Sequence, residues 1–369
     1  MVQYRLTKLV ESLPATVPFV GPETQERTRG GLFVARIGAN ESVFGPSPQV
    51  VEAITQAAPD AWMYGDPENH DLRHAIARHH ALDADNVMIG EGIDGLLGYV
   101  VRMFLEPGDS VVTSLGAYPT FNYHVVGYNG KLVTVPYRDD REDVEALLDA
   151  AVGSAAKLIY LANPDNPMGT CWTAGSIDSM ICRVPAGSLL LLDEAYGEFA
   201  EPGTLPAIDC SSDRVLRFRT FSKAYGLAGI RVGYVLGNSK LIAEFNKVRN
   251  HFGVGRVAQA AGLAALKDQS YLVQVFDQVK AARARIAEIA SDNGLSTVAS
   301  ATNFVAIDCG RDEEFASTVL NNLVQRGIFV RMPGVVPLNR CIRVTAGLEH
   351  DLDALADALP AALADANYR

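Results

Sequence analysis

The sequence predicts an α/β protein with a large domain, whose mostly parallel sheet is flanked by helices, and a smaller α+β domain. Three observations lead there. At 369 residues the chain exceeds what one hydrophobic core normally serves, so two lobes are expected. From Asn86 to Tyr234, short apolar runs alternate with helical patterns, as in repeated strand–helix–strand units. Beyond Gly237, charged amphipathic helices continue to Asn293, after which NFVAID, GIFVRM and CIRVTA alternate with helical segments at 311–326 and 350–366. This change of pattern assigns 37–270 to the large domain and 1–36 with 271–369 to the small one.

Taken in order, NVMIG reads as the first strand of the large domain, followed by the turn Gly90-Glu91-Gly92-Ile93-Asp94-Gly95. Leu96, Val100, Met103 and Phe104 then recur at helical spacing, and Glu106-Pro107-Gly108-Asp109 stops that helix. SVVTSL, KLVTVPY, KLIYLAN, SLLLLDEAY, RVLRFRTFS and RVGYVLG supply the remaining strands. No internal repeat or low-complexity linker interrupts them.

Hydrophobic residues make up 48% and charged residues 20%, the balance of an ordinary globular protein. With 32 Lys plus Arg against 43 Asp plus Glu, the net charge of -11 argues against nucleic acid or an anionic membrane as partner. Five scattered cysteines (Cys171, Cys182, Cys210, Cys309, Cys341) form no C-x-x-C pair, which points away from zinc or a disulfide framework and toward a reducing cytoplasm. Met1 to Val20 has no uninterrupted apolar stretch of the kind a signal peptide needs. The seven histidines, His79-His80 among them, show no metal-ligand spacing, and no metal is expected.

The glycine turn at 90–95 is formally G-x-G-x-x-G between a strand and a helix, which raises a dinucleotide-binding reading. That reading requires an acidic residue at the end of the next strand, where Thr113-Ser114-Leu115-Gly116 stands instead. An apolar strand ending in Asp193-Glu194 fits a metal site and a helix cap about equally well when taken alone. Likewise Tyr118 alone reads as a core or loop aromatic, and Arg331 alone as a surface residue.

The segment Thr220-Phe221-Ser222-Lys223-Ala224-Tyr225-Gly226-Leu227-Ala228-Gly229-Ile230-Arg231-Val232-Gly233-Tyr234 decides between these readings. Its pattern S-K-x-x-x-L-x-G-x-R-x-G-Y resembles the cofactor-lysine motif of the class I/II aminotransferases, the fold-type-I enzymes of pyridoxal 5'-phosphate (PLP). The resemblance extends over nearly the whole chain. It implies that Lys223 carries PLP as a Schiff base and shuttles the substrate proton. It also implies that Ser222, Arg231 and Thr220 surround the phosphate, a dianion suited to guanidinium and hydroxyl donors. The N–H groups of Ile93 and Asp94, free at a helix N-terminus, would face the same phosphate. Asp193 would pair with the pyridine nitrogen, and Tyr196 and Asn166 of Asn163-Pro164-Asp165-Asn166-Pro167-Met168-Gly169 would bond the phenolate oxygen. Tyr118 would stack on the ring. Tyr64 of Met63-Tyr64-Gly65-Asp66-Pro67 would reach the phosphate from a neighbouring subunit, which implies a homodimer.

Asn40-Glu41-Ser42-Val43-Phe44-Gly45-Pro46-Ser47-Pro48 is similar to the opening segment of the histidinol-phosphate aminotransferase group. That likeness adds Asn40, Arg331 and Arg343 as substrate-binding residues, the arginines taking carboxylate or phosphate. Ser42, Val43, Gly65, Gly95 and Met168 depart from the usual pattern. The implied reaction passes the amino group of histidinol phosphate to 2-oxoglutarate, an exchange between a small-molecule amino donor and a 2-oxo acid acceptor. An aromatic or broad-specificity aminotransferase is the alternative, followed by a phosphothreonine decarboxylase. A regulatory module without turnover is disfavoured because Lys223, Asp193 and Arg231 are all present.

Overall fold

The computed structural model describes residues 5–15 and 20–367, so parts of the Met1–Val20 stretch and of the first small-domain segment lie outside the described residues. Each apolar run expected as a strand of the large domain becomes one. In chain order these are β2 (Val87–Gly90), β3 (Ser110–Ser114), β4 (Lys131–Val135), β5 (Leu158–Ala162), β6 (Leu189–Asp193), β7 (Val215–Thr220) and β8 (Gly233–Leu236), preceded by the short β1 (Ala35–Arg36). They form one seven-stranded sheet in the order β2-β8-β7-β6-β5-β3-β4. Pairing is parallel throughout except around β8, which runs antiparallel to both β7 and β2.

The central strands β5 and β6 are buried on both faces, which is why they read as continuous apolar runs without alternation. One face packs against the helices Gly92–Phe104 and Pro119–Gly127 through Leu96, Val100, Phe121 and Tyr160. The other packs against Val144–Ser154 and Ala174–Arg183 through Leu147, Ile159, Ile177 and Leu190. At about 25 cal/mol per Å² of apolar surface removed from water, these two layers are the main source of stability for the sheet.

A separate core joins the helices Gln269–Asp292, Glu313–Gln325 and Glu349–Asn367 to β10 (Phe304–Asp308) and β12 (Cys341–Thr345), with Ile286, Phe304, Val319 and Leu355 at its centre. β9 (Ser296–Thr297), β10 and β12 form an antiparallel sheet. Asp312 caps Glu313–Gln325 by accepting the Phe315 N–H, so that helix starts two residues later than the segment 311–326 read from the sequence. The GIFVRM run makes only a two-residue strand, β11 (Ile328–Phe329), which pairs in parallel with β1. Arg331 then turns to bridge Arg343 on β12, so the run changes partners at its middle.

Candidate active site

The carboxyl ends of β3, β5, β6 and β7 open into a cavity of about 960 Å³, the position where open α/β sheets hold ligands. Thirteen of the fourteen residues singled out from the sequence line it: Asn40, Ile93, Asp94, Tyr118, Asn166, Asp193, Tyr196, Thr220, Ser222, Lys223, Arg231, Arg331 and Arg343. Tyr64 does not. It is 76% exposed, its ring lies 4.7 Å from that of Phe252, and it stands apart from the cavity of its own chain.

Lys223 follows β7 and places Nζ 3.0 Å from the Asn40 carbonyl oxygen and 5.6 Å from the Tyr196 ring centroid. Asn40 is itself held tightly. Its N–H and Oδ1 both meet the Thr345 hydroxyl, at 3.1 and 3.2 Å, and its Nδ2 donates to Tyr196 Oη at 3.0 Å. The backbone there is left-handed, φ 56°, a conformation that asparagine tolerates better than most residues.

Asp193 ends β6 with one carboxylate oxygen accepting from Tyr160 Oη at 2.7 Å and the other from the Ala195 N–H at 2.9 Å. Burial pushes its carboxyl up to about 6, against the lowering effect of those two donors. Among the described residues no cation pairs with Asp193, and such a buried carboxylate suits a protonated ring nitrogen.

Arg231, also left-handed at φ 58°, directs its guanidinium to Ser222 Oγ at 3.4 Å and to the Asp94 carboxylate at 3.6 Å. A Cβ added to Gly92 would strike Arg231 Nη2 at 2.4 Å, so the guanidinium lies directly over the start of the helix Gly92–Phe104. The unpaired N–H groups of that first turn, Arg231 and the Ser222 hydroxyl together make a cradle for a small anion. The side chain of Asp94 also enters it, accepting from Tyr118 Oη at 2.8 Å and leaving the Asp94 N–H as its contribution to the anion.

On the opposite wall Arg343 donates to Asn166 Oδ1 at 2.6 Å and lies 5.1 Å over the Phe304 ring. Its buried Nε has no hydrogen-bond partner among the described residues, and burial lowers the pKa of the guanidinium, which suits it to binding an anion. Arg331 bridges the same strand and donates to the Val20 carbonyl at 2.9 Å.

A family model described as "Aminotransferase class I and II" matches residues 34–359. The chain belongs to this family. Among aminotransferases, it is 33% identical over 345 residues to histidinol-phosphate aminotransferase 2 of Carboxydothermus hydrogenoformans, covering 92% of this chain and 94% of that protein. It is 53% identical to the crystallised histidinol-phosphate aminotransferase of Sinorhizobium meliloti, solved with pyridoxal-5'-phosphate, with 99% of each chain covered and a TM-score of 0.96. A Thermus thermophilus aspartate aminotransferase variant shares the fold at 19% identity, with a TM-score of 0.83 and 98% and 100% of the two chains covered. The fold expected from the sequence is therefore the fold of this aminotransferase, a PLP enzyme of fold type I.

Several residues of the site escaped the sequence reading. Tyr160 sits inside an apolar strand where nothing marks its hydroxyl as special. Its role follows from register: Ala162 pairs with Asp193, and Tyr160, two residues earlier, shares that face. Thr345 and Asn303, which fix Asn40, are separated from it by more than 260 residues of sequence. Glu194, seen in the sequence only as the neighbour of Asp193, is fully buried between Arg217 and Arg219, at 2.6 and 2.9 Å. Among the described residues, no group of three or more His, Cys, Asp or Glu is placed to hold a metal ion. His80 instead bonds the Tyr234 hydroxyl at 2.9 Å, and burial brings its pKa down to about 3.

Proposed function

We propose that this aminotransferase exchanges the amino group between histidinol phosphate and 2-oxoglutarate, giving imidazole-acetol phosphate and glutamate in histidine biosynthesis. The observation that carries the reading is the cavity with Lys223 and Asp193 on one wall and Arg343 and Arg331 on the other, in a chain 53% identical to the Sinorhizobium enzyme. A guanidinium fork accepts carboxylate and phosphate alike, which a single pocket serving both substrates needs.

The residues fit PLP: a buried carboxylate without a cation, a cradle at a helix N-terminus and a lysine amine between them. When bound, PLP supplies an electron sink that stabilises negative charge at the substrate Cα. In this arrangement Asp193 holds a proton on the ring nitrogen, and Tyr196 Oη and Asn166 Nδ2 orient the phenolate oxygen. Tyr118 covers the ring. Thr220, Ser222, Arg231 and the N–H groups of Ile93 and Asp94 retain the phosphate. Lys223 Nζ takes the proton from the substrate Cα, and Arg343, seconded by Arg331 and Asn40, binds the substrate anion.

The same proposal includes a cytoplasmic homodimer in which Tyr64 reaches the partner's phosphate site. Its exposure on the surface, and the five free cysteines, support that setting. It also includes the division at 37–270 against 1–36 and 271–369, supported by the separate core around Ile286, Phe304 and Leu355.

The test is the visible spectrum of the purified protein with PLP, followed on addition of histidinol phosphate. Loss of the visible band, restored by 2-oxoglutarate, is expected. A band that responds only to aromatic or other amino acids assigns the broad-specificity alternative, and carbon dioxide release assigns the decarboxylase. Absence of any band overturns the role of Lys223.

A further inference from the structure

Gly65 and Gly95, both departures from the family pattern, lie at opposite ends of one chain of contacts outside the cavity. Glu91 is the N-cap of the helix Gly92–Phe104, yet among the described residues its side chain makes no capping bond. Its carboxylate lies back along the helix instead, where both oxygens accept from Tyr99 Oη at 3.0 Å. Residues 91, 95 and 99 are spaced four apart and share one helix face, so the carboxylate must cross Gly95 to reach the tyrosine. A Cβ added to Gly95 would stand 3.1 Å from Glu91 Oε2, and the glycine gives the carboxylate room to lie down. The N–H groups of the first turn are thereby left to the anion cradle.

Tyr99 carries the contact onward to the segment 248–256. Its oxygen accepts the Asn250 N–H at 3.0 Å, and Arg102 Nη1, three residues along the same helix, donates to the Val248 carbonyl at 2.7 Å. Glu91 itself presses on Gly253, where an added Cβ would fall on Oε1. The far side of the segment is fastened to the turn Met63-Tyr64-Gly65-Asp66-Pro67. Arg249 Nη2 donates to the Pro67 carbonyl at 2.7 Å, Arg256 Nη2 donates to the Tyr64 carbonyl at 3.1 Å, and the Phe252 ring packs on that of Tyr64. A Cβ added to Gly65 would meet the Val254 carbonyl oxygen at 2.9 Å and the Arg256 nitrogen at 3.0 Å. These are backbone atoms, which cannot swing aside, so any side chain at 65 would push the turn off the segment.

We propose that Glu91 is a positioning residue for Tyr64: through Tyr99 and the segment 248–256 it fixes the attitude in which Tyr64 leaves its own subunit, and so ties the cradle of one subunit to the phosphate contact made in the other. The inference rests on reading Tyr64 as the partner's phosphate ligand. It differs in sign from a purely electrostatic role. A carboxylate at the start of this helix repels an anion in the cradle, so removing it would tighten phosphate binding if charge were its whole effect. Loss of positioning weakens it.

The test uses the holoenzyme in wild-type, Glu91→Ala, Glu91→Gln, Tyr99→Phe and Tyr64→Phe forms, with the double variant Glu91→Ala/Tyr64→Phe. Hydrogen–deuterium exchange, read by mass spectrometry, is expected to quicken about tenfold in both 248–256 and 63–67 in Glu91→Ala and Tyr99→Phe. It is expected to keep the wild-type rate in Glu91→Gln, whose amide oxygen still accepts from Tyr99. The PLP dissociation constant, from equilibrium dialysis, is expected to rise about tenfold in Glu91→Ala and to rise no further when that change is added to Tyr64→Phe. Unchanged exchange in 63–67, a Glu91→Gln form that behaves as Glu91→Ala, tighter PLP binding in Glu91→Ala, or independent losses that multiply in the double variant overturns the proposal. Tyr99→Phe removes a single oxygen and carries the exchange test if Glu91→Ala does not fold. If exchange quickens as expected while Tyr64→Phe binds PLP as the wild type does, the bridge from Glu91 to the turn stands and the reading of Tyr64 falls.

Discussion

The Tyr160 hydroxyl donates to Asp193 Oδ2 at 2.7 Å from two residues before the end of the neighbouring strand, and both side chains are buried. That bond favours the ionised carboxylate that the ring nitrogen needs. Tyr160→Phe leaves one buried oxygen without its donor, a cost of about 1–3 kcal/mol. We expect kcat to fall about tenfold or more with little change in KM, and the cofactor band to shift; steady-state kinetics with absorbance spectra check this.

Burial raises Asp193 from its ordinary 3.8 to about 6 while no cation faces it. A group whose folded pKa is raised contributes stability below its unfolded value and loses it as pH rises through the folded one. The cofactor-free protein should lose this contribution between about pH 4 and about pH 6, whereas a ring-nitrogen proton removes the penalty in the loaded enzyme. The difference in Tm between loaded and cofactor-free protein should widen across that window, and Asp193→Asn should abolish the widening.

Arg343→Lys keeps the charge but cannot offer two parallel N–H groups to an anion while also bonding Asn166. Losing one charge-assisted bond of about 1.5–3 kcal/mol raises KM for glutamate about 10- to 100-fold. The retention of PLP by the variant, read by its visible band, should be unchanged.

Tyr64 makes its ring contact with Phe252 and has its hydroxyl away from its own cavity. Tyr64→Phe should therefore leave the Tm of the cofactor-free protein within about 0.5 kcal/mol equivalent of wild type. Its PLP dissociation constant should rise about tenfold, as for the loss of one hydrogen bond to a charged group. Equilibrium dialysis measures the constant, and unchanged affinity would remove Tyr64 from the phosphate site.

Glu194 lies between two buried guanidinium groups, and Arg217 and Arg219 outweigh the raising effect of its burial to hold its pKa below the ordinary value. Glu194→Gln leaves the buried Arg217 without its counter-charge and Arg219 with Glu198 alone, at 3.3 Å, and should destabilise the fold by about 3–5 kcal/mol in urea unfolding. Because this pKa is depressed, the contribution is present at neutral pH and lost as pH falls through the folded value, so the variant and wild type should converge in acid.

Much of the molecule was legible from the chain alone, and the reasons are local. Strands such as Leu158–Ala162 and Leu189–Asp193 are apolar at every position because both faces are covered, and the lysine and asparagine turns carry their chemistry within a few residues. What stayed hidden depends on partners far away in sequence. The Tyr160 hydroxyl acquires meaning only from the register that sets Ala162 beside Asp193. Glu142 is an acidic residue in a loop until Ser114 and Ala162 enclose it. The switch of the GIFVRM run from β1 to the Arg343 bridge follows from packing between the chain's two ends, which no short window contains.

The contacts of Asn40 also bear on when the enzyme comes into being. Lys223 lies 183 residues from the carbonyl that anchors it, and Thr345 lies 305 residues from the same asparagine. Loops of that span close slowly and late, since their entropy must be met before any contact forms. The lysine is therefore set in place only when the first and last parts of the chain have met, so cofactor capture during refolding reports completion of the fold, and a half-made chain has no anchored lysine to offer.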